Sequence, residues 1–324
     1  MSSTLAHPSD DEAALRVPPQ LPADLERRLL RARRARSRRQ QLVALAFLAP
    51  NLVFFCAFLL WPVGKVALQS FQEGGVIGPA QWVGLQNWET ALSDDGFLTA
   101  IKNTAVLTAM FIPVTFACAI SLALLLRALR RGGAVFRAAV YFPALAPFVV
   151  AALAWLFVIN PDFGLFNVLL KGLGGEPLNF RGDSKLAMPM IVAVEAWRSI
   201  GFWALFLLAA LLAVPRELYQ AAEIDGAGAV RRFVHVTLPG IRPQLFVAIL
   251  LSTLSIMQTF DSVFILTDGG PNGSTETAVT YIYKSLFERG QVGYAAVLSL
   301  VLVMIIILMT LLAGRVVGRN PSAR

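Results

Sequence analysis

The chain is 324 residues long, 56% hydrophobic and 15% charged, with a mean hydropathy of +0.65. That is too apolar for an ordinary soluble domain and points to a polytopic membrane protein. The net charge of +8 does not indicate nucleic acid, because nine of the basic residues crowd into the first 41 positions, mostly in "RRLLRARRARSRR", just ahead of the first apolar run; positive charge there keeps that end of a membrane protein in the cytoplasm.

Residues 1–41 read as a disordered basic cytoplasmic tail, polar and proline-rich at first, with arginines that serve either as a topology signal or as a contact for anionic lipid. Residues 42–324 read as the transmembrane domain. A helix needs about twenty apolar residues to cross roughly 30 Å of hydrocarbon. Six runs have that length: Leu42–Val63, Ala105–Leu126, Ala138–Ile159, Ala187–Val214, Phe246–Leu266 and Ala295–Gly314. The expected fold is therefore all-α, with six transmembrane helices. The first run is too long and too late in the chain for a signal peptide, and no small-residue cleavage site follows it.

With the N-terminus inside, segments 1–41, 127–137, 215–245 and 315–324 hold 20 Lys and Arg, against 7 in 64–104, 160–186 and 267–294. Both termini are thus expected in the cytoplasm. The external segments are rich in Gly, Asn, Asp and aromatics, and read as loops and short interfacial helices. Cys56 and Cys118 lie inside apolar runs without metal-ligand spacing, so no metal site is expected.

The longest cytoplasmic connection contains "PRELYQAAEIDGAGAVRRFVHVTLP". Pro215 suits a helix start, and Leu218, Ala221, Ala222 and Ile224 give that helix a small, mostly apolar face. "DG" then breaks it, because Gly226 takes positive φ without a Cβ penalty. A second short helix, with Val230, Phe233, Val234 and Leu238 on one side, is expected to end at Pro239. An exposed apolar helix-turn-helix of this kind meets a partner.

This stretch resembles the EAA loop of bacterial binding-protein-dependent ABC importers, in particular the carbohydrate permeases similar to the larger maltose-permease subunit. Ala221, Ala222, Asp225, Gly226, Ala227, Phe233, Leu238, Pro239 and Pro243 stand at the family spacing. The family's leading glutamate is Gln220 here, and Glu217 and Glu223 flank it. The resemblance implies an ABC type I importer permease fold in the bacterial inner membrane, with Glu217, Gln220, Ala221, Ala222, Glu223, Asp225, Gly226 and Phe233 coupling to a separate ATPase. A second stretch, "QTFDSVFILTDGGPNGSTETAVTYIYKSLF", resembles the sugar-permease segment at the outer end of the fifth span, where Gly269, Gly270 and Pro271 make a tight turn.

Ionisable residues inside a span are costly and mark candidate functional sites. Glu195 and Arg198, three apart in "VEAWRSIGFW", share a helix face and can pair. Such a pair is either structural, with Arg198 snorkelling to the outer interface, or part of a solute path. Trp197 offers an aromatic face for a sugar ring, although an aromatic stripe equally suits lipid or core packing. By resemblance to the maltose subunit, the sugar contacts carry over to Glu195, Trp197, Ser199 and Phe202, with Gln258, Thr259 and Asp261 added from the fifth span.

No G-x-x-x-x-G-K-[ST] occurs, so the chain carries no P-loop of its own. The resemblance implies no cofactor bound by this chain, with ATP and Mg on the partner ATPase. The implied partners are a second homologous permease subunit, two ATP-binding cassette ATPases, an external solute-binding protein and the lipid bilayer, with no nucleic acid. The expected function is a non-enzymatic permease subunit importing a sugar or related solute. An ion-coupled secondary solute transporter is the alternative, which would need ionisable residues in several spans.

Overall fold

A computed structural model describes residues 46–74, 79–129 and 132–318. The expected tail at 1–41 and the first residues of the first expected span lie outside them. The chain divides into two units, one ending at Gly64 and one starting at Lys65. Helix α1, Ala46–Gln69, begins in the first unit and continues to the end of an almost uninterrupted apolar run, with a π-helical turn at Cys56–Leu60.

After α1 the chain forms a two-residue antiparallel ladder, β1 (Gln72–Glu73) on β2 (Gln81–Trp82), a small addition to the expected all-α fold. Helix α2, Gln86–Ser93, follows. Helix α3, Asp95–Ala128, starts well before the expected Ala105, because the Asp94 side chain caps it by accepting from the amides of Gly96 and Phe97 at 2.8 and 3.4 Å. Helix α7, Ser184–Ala213, is capped in the same way by Asp183. Between them stand α4 (Gly133–Leu145), α5 (Phe148–Val158) and α6 (Leu165–Gly172). After α7 come α8 (Arg216–Ile224), α9 (Ala229–Met257), α10 (Asp261–Leu266), α11 (Ala278–Tyr283) and α12 (Val292–Gly318).

Three expectations about helix boundaries are corrected. The third span, expected as one helix over Ala138–Ile159, is broken: α4 and α5 meet at 94° across Ala146 and Pro147. Proline disfavours the helical conformation for the residue before it, and Ala146 has ψ 134°. The second arm of the cytoplasmic connection does not end at Pro239 but runs on into the fifth span as α9. A π-helical turn at Phe233–Thr237 absorbs the proline: the Leu238 amide bonds the Phe233 carbonyl, five residues back, and Pro239 falls in the first turn of the helix that resumes, where its missing N–H costs little. At its other end the fifth span stops at Met257 rather than Leu266. The chain bends at Gln258–Phe260 before resuming as α10. Among the described residues five helices are long and apolar enough to cross a membrane, or six with the bent pair taken as one span.

Helices α3 and α7 form the most extensive pairing, with α4 and α9 packed against α7 as well. The apolar core falls in successive layers. One joins Leu107 and Phe111 of α3 to Met188, Ile191 and Val194 of α7; a second joins Ala119 and Ala123 to Ala204, Leu207 and Leu211, with Ile241 and Ala248 of α9. Gly201 lets α4 cross α7 closely, since a Cβ there would overlap the Val140 carbonyl oxygen. A third layer packs Phe97 and Ala100 against Ala278, Tyr281, Val297 and Leu298. The two ends of α3 therefore meet different neighbours: Asp94 meets Tyr281 and Tyr294, and Arg127 meets Tyr219 of α8.

Candidate functional site

At the Arg127 end, α8 and the start of α9 form an exposed helical hairpin. Gly226 makes the turn with φ +71°, in open space and in the left-handed region that side chains with a Cβ seldom adopt. The amides of Gly226 and Ala227 return to the carbonyls of Glu223 and Ala222, at 3.0 and 2.9 Å. An ion pair from Glu223 to Arg232, 3.7 Å, links the two arms. Leu218, Ala221, Ala222, Asp225, Ala227, Arg231, His235 and Val236 line a hollow of about 380 Å³ between them. Glu217, Gln220, Glu223 and Asp225 are exposed, and Phe233 is half-buried.

Apolar side chains stand free on this hairpin: Ile224 is 87% exposed and Val230 78%. Its base is anchored by two residues the sequence reading passed over. Arg127 donates to the Tyr219 hydroxyl at 2.9 Å and lies over its ring at 4.6 Å, and the same hydroxyl meets Thr237 at 3.2 Å. The only sequence signal was a tyrosine on an otherwise small-residue face.

The second constellation lies within the membrane-spanning region. Glu195, Arg198, Ser199 and Thr259 converge on a narrow hollow of about 60 Å³, with Phe111, Trp203, Ser252, Ser255 and Ile256 completing its walls. Glu195 is buried, 4% exposed, and pairs with Arg198 at 3.5 Å. Thr259 donates to Glu195 Oε1 at 2.9 Å and contacts Ser262 at 3.1 Å. Ser199 donates to the Glu195 carbonyl at 2.7 Å. The Arg198 guanidinium lies 5.1 Å from the centre of the Phe148 ring, and its buried Nε has no partner among the described residues.

The other expected path residues lie off this hollow. Trp197 stacks edge-on with Trp155 at 5.6 Å and is 41% exposed. Phe202 packs edge-on against Trp203 at 4.9 Å. Gln258 is exposed and donates to its own helix at Leu254, and Asp261 is exposed at the start of α10. Ser252 and Ser255 were missed, although in an uninterrupted fifth span their spacing from Thr259 would put all three on one helical face.

The end opposite the hairpin is held by a polar network. Asp94 accepts from the hydroxyls of Tyr281, at 2.7 Å, and Tyr294. Partial burial pushes the Asp94 carboxyl up, but the hydrogen bonds from Tyr294, Tyr281, Gly96 and Phe97 outweigh it and hold the group below its ordinary value. The tight turn is pinned nearby: Thr275 meets Thr267 at 2.8 Å and donates to the Gly270 carbonyl at 2.7 Å. Asn103 of α3 donates to the carbonyls of Gly273 and Glu276, at 2.8 and 3.0 Å.

Comparison with known proteins gives the same outline. The family model described as "Binding-protein-dependent transport system inner membrane component" matches residues 114–319. The sn-glycerol-3-phosphate transport system permease protein UgpA of Agrobacterium fabrum is 32% identical over 277 residues, 84% of this chain and 93% of that one. The trehalose/maltose transport system permease protein MalF of Thermococcus litoralis is 32% identical over 263 residues, 81% and 89% of the two chains. Among solved structures, a bacterial ABC transporter involved in the import of the acidic polysaccharide alginate superposes with a TM-score of 0.77 at 23% identity, covering 89% of this chain and 99% of that one. With this match over most of its length and an exposed hairpin built on a membrane helix, the chain belongs to the family of inner membrane components of binding-protein-dependent ABC transport systems.

Proposed function

We propose that this chain is one of two similar permease subunits that together carry a sugar or related polyhydroxylated solute inward, driven by two ATPases and fed by an external solute-binding protein. The observation that carries the reading is the exposed hairpin with free apolar side chains, joined without a helical break to a membrane span. In this reading Leu218, Ala221, Ala222 and Ile224 seat on the ATPase, with Glu217, Gln220, Glu223 and Asp225 at the rim of the contact and Phe233 supporting it. The hairpin end and both termini face the cytoplasm. ATP and Mg reside on the ATPases, and closure of the ATPases moves the hairpin. The difference in ATP affinity between the two gate states drives the swing.

The solute path runs along α7 and the end of α9. Ser199, Ser252, Ser255 and Thr259 provide hydroxyls there, and the Glu195–Arg198 pair leaves the hollow without formal net charge. That lining suits transient contact with a hydroxyl-rich solute, and a weak site is what release on the far side requires. The curated relatives carry glycerol-3-phosphate and trehalose or maltose in their names, which share this chemistry. The ion-coupled alternative has no support in the family match.

The test is recovery of a soluble ATPase with the affinity-tagged chain from mildly solubilised membranes. Leu218→Asp or Ile224→Asp should abolish recovery while the chain still inserts. Full recovery with both variants would move the contact elsewhere.

A further inference from the structure

We infer that Thr259 and Glu195 form the joint through which the cytoplasmic hairpin opens and closes the solute hollow, Thr259 acting as a positioning residue for transport. The inference rests on the reading of the hollow as part of the solute path. Helix α9 is one continuous element of 29 residues from Ala229, inside the hairpin, to Met257. At 1.5 Å per residue it is a rod about 43 Å long. Its near end carries the hairpin turn, and just past its far end Thr259 bonds Glu195 at 2.9 Å. Ser252 and Ser255 on the same rod line the hollow.

Glu195 is suited to register the rod's position. It is nearly fully buried in α7, and its two carboxylate oxygens are divided: Oε1 accepts from Thr259 on the moving side, and Oε2 faces Arg198 on its own helix. A buried carboxylate that loses one donor must find another. Arg198 is the available donor, since its guanidinium lies only 3.5 Å away and its Nε has no partner among the described residues. Withdrawal of Thr259 would let Arg198 close on Glu195. That shift uncovers Ser252, which is buried in this structure, and return of Thr259 covers it. Interhelical hydrogen bonds with two alternative arrangements of this kind give a span two discrete positions rather than a continuous slide.

The experiment follows accessibility of the hollow, independently of solute. In the assembled complex in lipid nanodiscs, with Cys56→Ser and Cys118→Ser as background, Ser252→Cys is labelled by a water-soluble maleimide with and without vanadate-trapped nucleotide. Trapping should change the labelling rate about tenfold, the scale of one hydrogen bond to a charged group. Adding Thr259→Val should reduce that change to less than about twofold, and Thr259→Ser should restore it. A nucleotide-dependent change that survives Thr259→Val at full size would overturn the inference, as would failure of Thr259→Ser to restore it. The solute-path reading is judged separately, by whether saturating solute protects Ser252→Cys from the same reagent.

Discussion

Arg127, in the last turn of α3, donates a hydrogen bond to the hydroxyl of Tyr219 in α8 at 2.9 Å and covers its ring at 4.6 Å. The contact ties the α8–α9 hairpin to one of the two helices that form the most extensive pairing in the core, so motion of the hairpin would load α3. Tyr219→Phe keeps the ring beneath the guanidinium but removes the hydrogen bonds to Arg127 and Thr237. It should lower ATP-driven uptake about fivefold, equivalent to one ordinary hydrogen bond. Arg127→Ala removes the cation–π contact as well and should cost more. Uptake into proteoliposomes, normalised to assembled complex, ranks the two; equal uptake in both variants and the parent would make the contact ornamental to coupling.

The hairpin turn makes a sharper demand. Gly226 holds φ +71° with nothing within 4 Å of the place a Cβ would occupy, so strain arises from the backbone and not from crowding. Asn tolerates that conformation and Val does not. Gly226→Asn should therefore keep its ATPase on purification, and Gly226→Val should lose it while the spans insert normally. Identical behaviour of the two variants would show that the left-handed turn is dispensable.

The opposite end should respond to acid. Asp94 is held below its ordinary value of 3.8, so its stabilising contribution is complete above that value and is lost as pH falls through the lower folded one. Asp94→Asn should lower the thermal midpoint at neutral pH, and the gap from the parent should close below pH about 4. A gap of constant width down to strongly acid pH would mean that the carboxylate charge is not what the tyrosine hydroxyls recognise.

Trp197 and Arg198 separate two faces of α7. Trp197 stands off the hollow against Trp155, and Arg198 lines it. If solute slides along the aromatic face, Trp197→Ala lowers uptake about tenfold with binding-protein affinity unchanged. Arg198→Gln should affect a phosphorylated solute more than a neutral one, because a guanidinium holds phosphate bidentately. Uptake assays with one solute of each class decide between the faces, and an unaffected Trp197→Ala transporter confines the path to the hollow.

The span count and the hairpin were legible because both are local. Apolar runs of sufficient length announce helices, and Pro215 and Gly226 punctuate the connection between them. What escaped is register. Pro147 breaks the third run, where the residue before it leaves the helical region, whereas Pro113 and Pro189 sit inside unbroken helices. Pro239 is spared by a π-helical turn whose formation depends on packing rather than composition. The intramembrane site was half-legible for the same reason. Glu195 and Arg198 are visible as charges in an apolar run, but the serines beside them acquire meaning only once α9 is turned to face α7.

The central claim is that the α8–α9 hairpin is the surface this permease presents to its ATPase. The most direct measurement is site-specific crosslinking in the assembled, transport-active complex, with Leu218→Cys or Ile224→Cys on the Cys56→Ser and Cys118→Ser background and a short thiol-to-amine reagent. The account predicts a crosslinked product of one permease and one ATPase at both positions, diminished when ATP is trapped and the contact shifts. A fully active complex that yields no such product at either position, and yields it instead from a cysteine placed at Gly132, would contradict it.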